Sequence, residues 1–267
     1  MGSPDRQQRL AALRDTIADI ERRPALLEAR SRVELTPGDF PALGGGLLQE
    51  IFTDERRNAG AALGFALAQA RGLIGAARPG VIFLQLAAES QKLGLPYGPG
   101  LVSFGFDPAA LILVRVEDVK ELLWAAEQAL GCRAVAAVVA DIGAPAKILD
   151  FTASRRLSLR AAESGTSVFL LRYGTGREAS AAHLRWRLEP APSARKPYDD
   201  KAPGPVRWRA ELERGVLIKQ SAEWLLGWSK DGLAAVSPER GGAQRVADAA
   251  VPRAVPAQLG DGLPQTA

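Results

Sequence analysis

Apolar residues recur along this chain in two rhythms. From Gln49 to Tyr173, continuous apolar runs alternate with stretches whose apolar positions fall at helical spacing. The run ending at Phe52 and those at Val81–Leu86, Leu111–Val116, Ala134–Asp141 and Ser167–Tyr173 predict strands buried on both faces. A small-residue stretch running to about Gly72 predicts a helix. So do Val119–Leu130, with Leu122, Leu123, Ala126 and Leu130 on one face, and Phe151–Glu163, with Arg155, Arg156 and Arg160 exposed. Apolar strands separated by helices predict a parallel sheet covered on both sides. Beyond Tyr173 the period drops to two. His183–Glu189 and Arg207–Glu213 read as antiparallel strands, with Glu223–Trp228 as a last one. Alternation sends Trp186 and Trp208 into the core and Arg185, Arg187, Arg207 and Arg209 into water.

Both ends differ from this body. Leu10, Leu13, Ile17 and Ile20 follow one another at spacings of about 3, 4 and 3, with charged residues between them. They predict an amphipathic helix that starts near Ser3-Pro4, stops near Pro24 and offers a stripe for docking a partner. The expected organisation is a helix over 1–30, a Pro/Gly-rich linker over 31–46, an α/β domain over 47–230 and a largely disordered tail over 231–267.

Composition narrows the function classes. A net charge of +4 over 267 residues is mildly basic, short of the field of a dedicated nucleic-acid coat. One cysteine, Cys132, excludes an internal disulfide framework and suits a reducing cytoplasm. One cysteine and one histidine cannot build the usual zinc site. No run of about 18 apolar residues is long enough to span a membrane, and the first residues lack the apolar core of a secretory leader. Catalytic constellations are absent: His183 stands alone on an alternating strand, and Asp199-Asp200 falls in a polar loop.

The turn after Phe52 is where an α/β domain places a phosphate-binding loop, yet its residues are wrong for one. The motif needs G-x-x-x-x-G-K-[ST]. Here Thr53 takes the first glycine position, Asn58 the second, Ala59 the lysine and Gly60 the hydroxyl. Ala59 supplies no charge to hold phosphates and Gly60 no hydroxyl for Mg²⁺, while Asp54 and Glu55 add negative charge beside them. Arg56 and Arg57 partly compensate. Asp141 closes the central strand where a second motif would place a magnesium-binding carboxylate. Glu89 follows the strand at Val81–Leu86, close to where a water-activating base would stand. Arg172 and Arg177 flank the loop at 174–180, at the strand end where such domains place binding loops, and are the candidates for contact with DNA.

The order of these parts resembles the RecA core. It runs from Glu50-Ile51-Phe52 and the altered loop, through Gly105-Phe106-Asp107, to Ala134–Asp141, Ser167–Tyr173 and the paired Arg-Trp-Arg strands. More narrowly it is similar to the ImuA family, RecA-like proteins of bacterial damage-inducible mutagenesis, over roughly Leu43 to Trp228. The resemblance implies a doubly wound, mostly parallel sheet with added C-terminal antiparallel strands. It implies an accessory role in SOS-induced translesion synthesis, with ImuB and an error-prone DNA polymerase III alpha-type subunit as partners and RecA as a further one. The departures at Thr53, Asn58, Ala59 and Gly60 lead us to expect no nucleotide cofactor and no enzymatic activity, with Asp141 vestigial. A division inhibitor related to SulA, an ATPase using Arg56 or Arg57 in place of lysine, and a plain single-strand binder are the alternatives.

Overall fold

The computed structural model describes residues 33–34, 40–143, 147–194, 196, 198–199, 202–215, 222–229 and 232–236. The chain divides into two units, Met1–Val236 and Ser237–Ala267, and every described residue lies in the first. The stripe Leu10, Leu13, Ile17 and Ile20 lies outside the described residues.

Two short strands, β1 (Val33–Glu34) and β2 (Ala42–Leu43), pair antiparallel ahead of the main sheet. The sheet itself comprises β3 (Leu48–Thr53), β4 (Gly80–Leu86), β5 (Leu111–Val116), β6 (Val135–Gly143), β7 (Ser167–Tyr173), β8 (Leu184–Ala191), β9 (Arg207–Gly215), β10 (Ala222–Ser229) and β11 (Gly232–Ala235). Their spatial order is β11-β10-β9-β8-β3-β7-β6-β4-β5. Pairing is parallel from β8 to β5 and antiparallel from β8 to β11. This α/β sheet, mostly parallel with antiparallel C-terminal strands, is consistent with a RecA-like fold. The crossover helices are α1 (Ala59–Arg71), α2 (Ala87–Leu93), α3 (Gly98–Ser103), α4 (Val119–Leu130) and α5 (Phe151–Ser164).

Two apolar layers hold the sheet. On one side α1 contributes Ala62, Phe65, Ala66 and Ala70, which meet Ile51, Val139, Phe169 and the tryptophans Trp186, Trp208 and Trp224 of the antiparallel strands. On the other, α4 and α5 place Leu122, Leu123, Ala126, Leu157 and Ala161 against Leu48, Val138 and Leu170. Both helices begin at an aspartate cap: Asp118 accepts from the N–H of Glu121 at 2.8 Å and Asp150 from that of Ala153 at 2.8 Å. The central strand β3 is buried throughout although it carries Gln49 and Glu50. Both find partners: the Trp186 indole N–H donates to Gln49 Oε1 at 2.8 Å, Arg185 Nε and Ser180 Oγ donate to Glu50 Oε2 at 2.9 and 2.7 Å, and Glu50 Oε1 is left with only the Arg172 guanidinium at 3.5 Å.

The period-two reading fails for one residue. Arg185 is buried rather than in water. A bulge between Arg185 and Trp186 shifts the register of β8 against β9. The side of β8 away from the tryptophans is covered there, so Arg185 pairs with Glu50 at 2.8 Å. Arg187 does stand half-exposed, and Arg209 pairs at the surface with Glu223 at 2.9 Å. β11 also continues the sheet past 231, where the sequence reading begins its tail.

Candidate functional site

The site is built where β3, β4 and β6 end. Thr53 is the last residue of β3 and is fully buried; its hydroxyl donates to the Glu55 carbonyl at 3.1 Å. Arg56–Asn58 then form a tight 3-10 turn, in which the Asn58 N–H donates to the Glu55 carbonyl at 3.0 Å. Amide groups that would face a phosphate are thereby turned toward the loop's own carbonyls. No glycine in this turn adopts a left-handed conformation, and that conformation is what lets a backbone wrap an anion. Ala59 is buried at the start of α1 and Gly60 faces outward.

Three charged residues occupy the space beyond the turn. The Arg56 guanidinium makes an ion pair with Glu89 of α2, a carboxylate only 7% exposed. Lys92 approaches the same carboxylate at 3.7 Å. Gly143, at the end of β6, has φ of 71°, and a Cβ built there would lie 3.3 Å from the Glu89 carboxyl carbon. Asp141 lies beside this pair, buried, with Gln85 Nε2 donating to its Oδ2 at 3.3 Å. Burial pushes the Asp141 carboxyl above the usual aspartate range, against the opposing pull of the Tyr173 hydroxyl, Gln85 and Arg56. The Tyr173 hydroxyl is in turn pushed up by burial and by the Asp141 charge. The residues therefore do not fit a nucleotide with its magnesium. A triphosphate at this turn would meet the Arg56 guanidinium already paired with Glu89, and would find a buried methyl group, Ala59, in place of the lysine.

Asp54, one residue beyond β3, turns away from this cluster. Its carboxylate accepts from Arg177 at 3.0 Å and Arg187 at 2.9 Å. Burial alone would raise its pKa, but those two hydrogen bonds outweigh it and hold the carboxyl below the usual range. Arg177 also donates to Glu213 at 2.9 Å and to the Gly174 carbonyl at 2.7 Å, and its guanidinium stacks on the Phe52 ring at 4.1 Å. Arg172 is buried, paired with Glu178 at 2.7 Å and Glu50 at 3.5 Å. Both sequence candidates for DNA contact are thus engaged by carboxylates of their own domain, and Arg172 has almost no surface from which to reach a phosphate.

His183 is also buried. Its Nδ1 accepts from the Leu48 N–H at 2.9 Å, so it fixes the start of β3. Sequence reasoning reached Arg56, Glu89 and Asp141 separately but gave no sign that the first two meet. It missed Gln85 and Tyr173 altogether, because a polar or aromatic residue at a strand end carries no periodic signal. Among the described residues no cluster of three or more His, Cys, Asp or Glu could hold a metal ion, and no helix is long and apolar enough to cross a membrane.

The fold is consistent with a RecA-like domain, and the turn after β3 carries an ion pair between Arg56 and Glu89. No family model matches the chain. Over 128 residues, 44% of this chain, it is 44% identical to Protein ImuA of Caulobacter vibrioides, in strain NA1000 / CB15N and equally in strain ATCC 19089 / CIP 103742 / CB 15. The matched stretch spans half the length of those relatives, and it supports membership of the ImuA family.

Proposed function

We propose that this protein is a non-catalytic accessory factor of SOS-induced, error-prone translesion synthesis that acts through protein contacts. The observation that carries this reading is the ion pair between Arg56 and the buried Glu89, beside Asp141. An ATPase of this fold needs a lysine, a hydroxyl and an open cradle at that place. Here the charges satisfy one another, so the architecture is used for its surfaces. The likeness to ImuA supports a role in damage-inducible mutagenesis; in this reading the protein works in a cytoplasmic complex with ImuB and an error-prone DNA polymerase III alpha-type subunit, with RecA as a further contact. Direct binding of DNA through Arg177 would require breaking its pairs with Asp54 and Glu213, which makes protein contacts the better supported route.

Complementation tests the reading. In cells lacking this gene, damage-induced mutation frequency should fall and be restored equally by the wild type and by Asp141→Ala at matched protein levels. Restoration by the wild type alone would point to an active nucleotide site. An unchanged frequency in the deletion strain would remove the protein from mutagenesis.

A further inference from the structure

A cavity of about 690 Å³ opens where β4 and β6 begin, about 20 Å along β6 from Asp141. The C-terminal ends of α4 and α5 wall it, and Arg78, Arg133, Arg160, Glu163 and Cys132 line it. Arg78 is held in place. Its Nη1 donates to the Thr166 hydroxyl at 2.6 Å and to the Val135 carbonyl at 3.1 Å, and its Nη2 donates to the Ser164 carbonyl. Arg133 is exposed and has no ion pair among the described residues. Arg160 stands 3.8 Å from Glu127, whose nearer partner is Arg156 at 3.0 Å. The three arginines therefore share the cavity with one carboxylate, Glu163. That leaves a positive surplus, unlike the surroundings of Arg172 and Arg177, which carboxylates engage.

We propose that this cavity binds an acidic peptide segment of a partner protein. Two features select that chemistry. Guanidinium groups pair bidentately with carboxylates, and Arg133 and Arg160 are the ones left to do so. The walls, in contrast, are helix C-termini, whose last carbonyls accept N–H groups and whose dipole opposes a bare anion. A peptide brings both kinds of group: carboxylates for the arginines and backbone N–H for the carbonyls. A DNA backbone brings phosphates without donors, and no aromatic side chain among the described residues lines the cavity to stack a base. The peptide comes from another molecule. Over 237–267, Glu239, Asp248 and Asp261 are matched by Arg240, Arg245 and Arg253, and residues 1–32 hold more arginines than acids. Neither end of the chain supplies the negative surplus. The site rests on the reading that this protein works through protein contacts, and it gives one such contact its chemistry.

Cys132, the one cysteine of the chain, is exposed and reports from inside the cavity. In the full-length protein its alkylation by anionic iodoacetate should be fast relative to that by neutral iodoacetamide. Arg133→Gln/Arg160→Gln should lower this ratio about two- to threefold per charge removed; an unchanged ratio would overturn the proposal. A glutamate-rich, alanine-based peptide should slow alkylation by iodoacetamide saturably, with a Kd under about 1 mM that weakens with salt. Its glutamine counterpart should not. Arg133→Glu changes an exposed residue without an ion pair, so it should keep the urea midpoint and abolish the protection. Arg115→Gln, on the edge strand β5, should leave protection as it is. No protection by the glutamate peptide, equal protection by the glutamine peptide, or stronger protection by an oligothymidylate of equal charge would each overturn the proposal. Purified protein is used throughout, so failure here leaves the complementation result untouched.

Discussion

Asp54 and Asp141 lie at the ends of two strands of one sheet, yet their surroundings move them in opposite directions. Asp54 is held below the ordinary 3.8 by two arginines. Its contribution to stability is present above that value and is lost as pH falls through its folded pKa. Asp141 is raised above 3.8 by burial. Its contribution is fully present below 3.8 and is lost as pH rises through its folded pKa. Relative to the wild type, Asp54→Asn should therefore be less stable at neutral pH and lose less on acidification. Asp141→Asn should gain stability at neutral pH, with the gain vanishing in acid. Urea midpoints from about pH 2 to about pH 8 check both signs. Gly143 makes a third test at this scale. A left-handed alanine costs about 1–2 kcal/mol, and its Cβ would press on Glu89. Gly143→Ala should destabilise by at least that much in urea unfolding.

Secondary-structure elements show where pattern suffices and where it does not. β5 and α4 fall at the boundaries their apolar spacing predicts, but β5 is the edge strand and is largely exposed, not buried on both faces as its apolar run suggested. The short helices α2 and α3 escape prediction: α3 reads Gly-Pro-Gly-Leu-Val-Ser, poor helix formers held by their neighbours. β11 escapes for the same reason, being four residues of Gly, Leu and Ala. β8 is the instructive case. Period two says which residues share a face but not what covers that face, so Arg185 reads as solvated when it is buried on Glu50. That pair makes a strong prediction about the central sheet. Removing one partner of a buried ion pair costs about 3–5 kcal/mol, so Glu50→Ala should lower stability by that order. Replacing both partners with apolar residues should cost less. Thermal unfolding of the single and double variants measures the difference.

For the whole molecule, the departures at Ala59 and Gly60 are legible as missing chemistry, but what fills the space is not. That Arg56 meets Glu89 depends on a turn and a seven-residue helix packing over the end of β6, a tertiary fact. The domain thus combines a layered sheet consistent with a RecA-like fold with a charge pair, Arg56 and Glu89, at the turn where a phosphate loop was expected.

Calorimetric titration of the full-length protein with ATP and Mg²⁺ tests that account most directly. We predict no saturable heat, the same for the wild type as for Asp141→Ala. Stoichiometric binding by the wild type that disappears in Asp141→Ala would show that Arg56 yields its place to a triphosphate, and the account would be wrong.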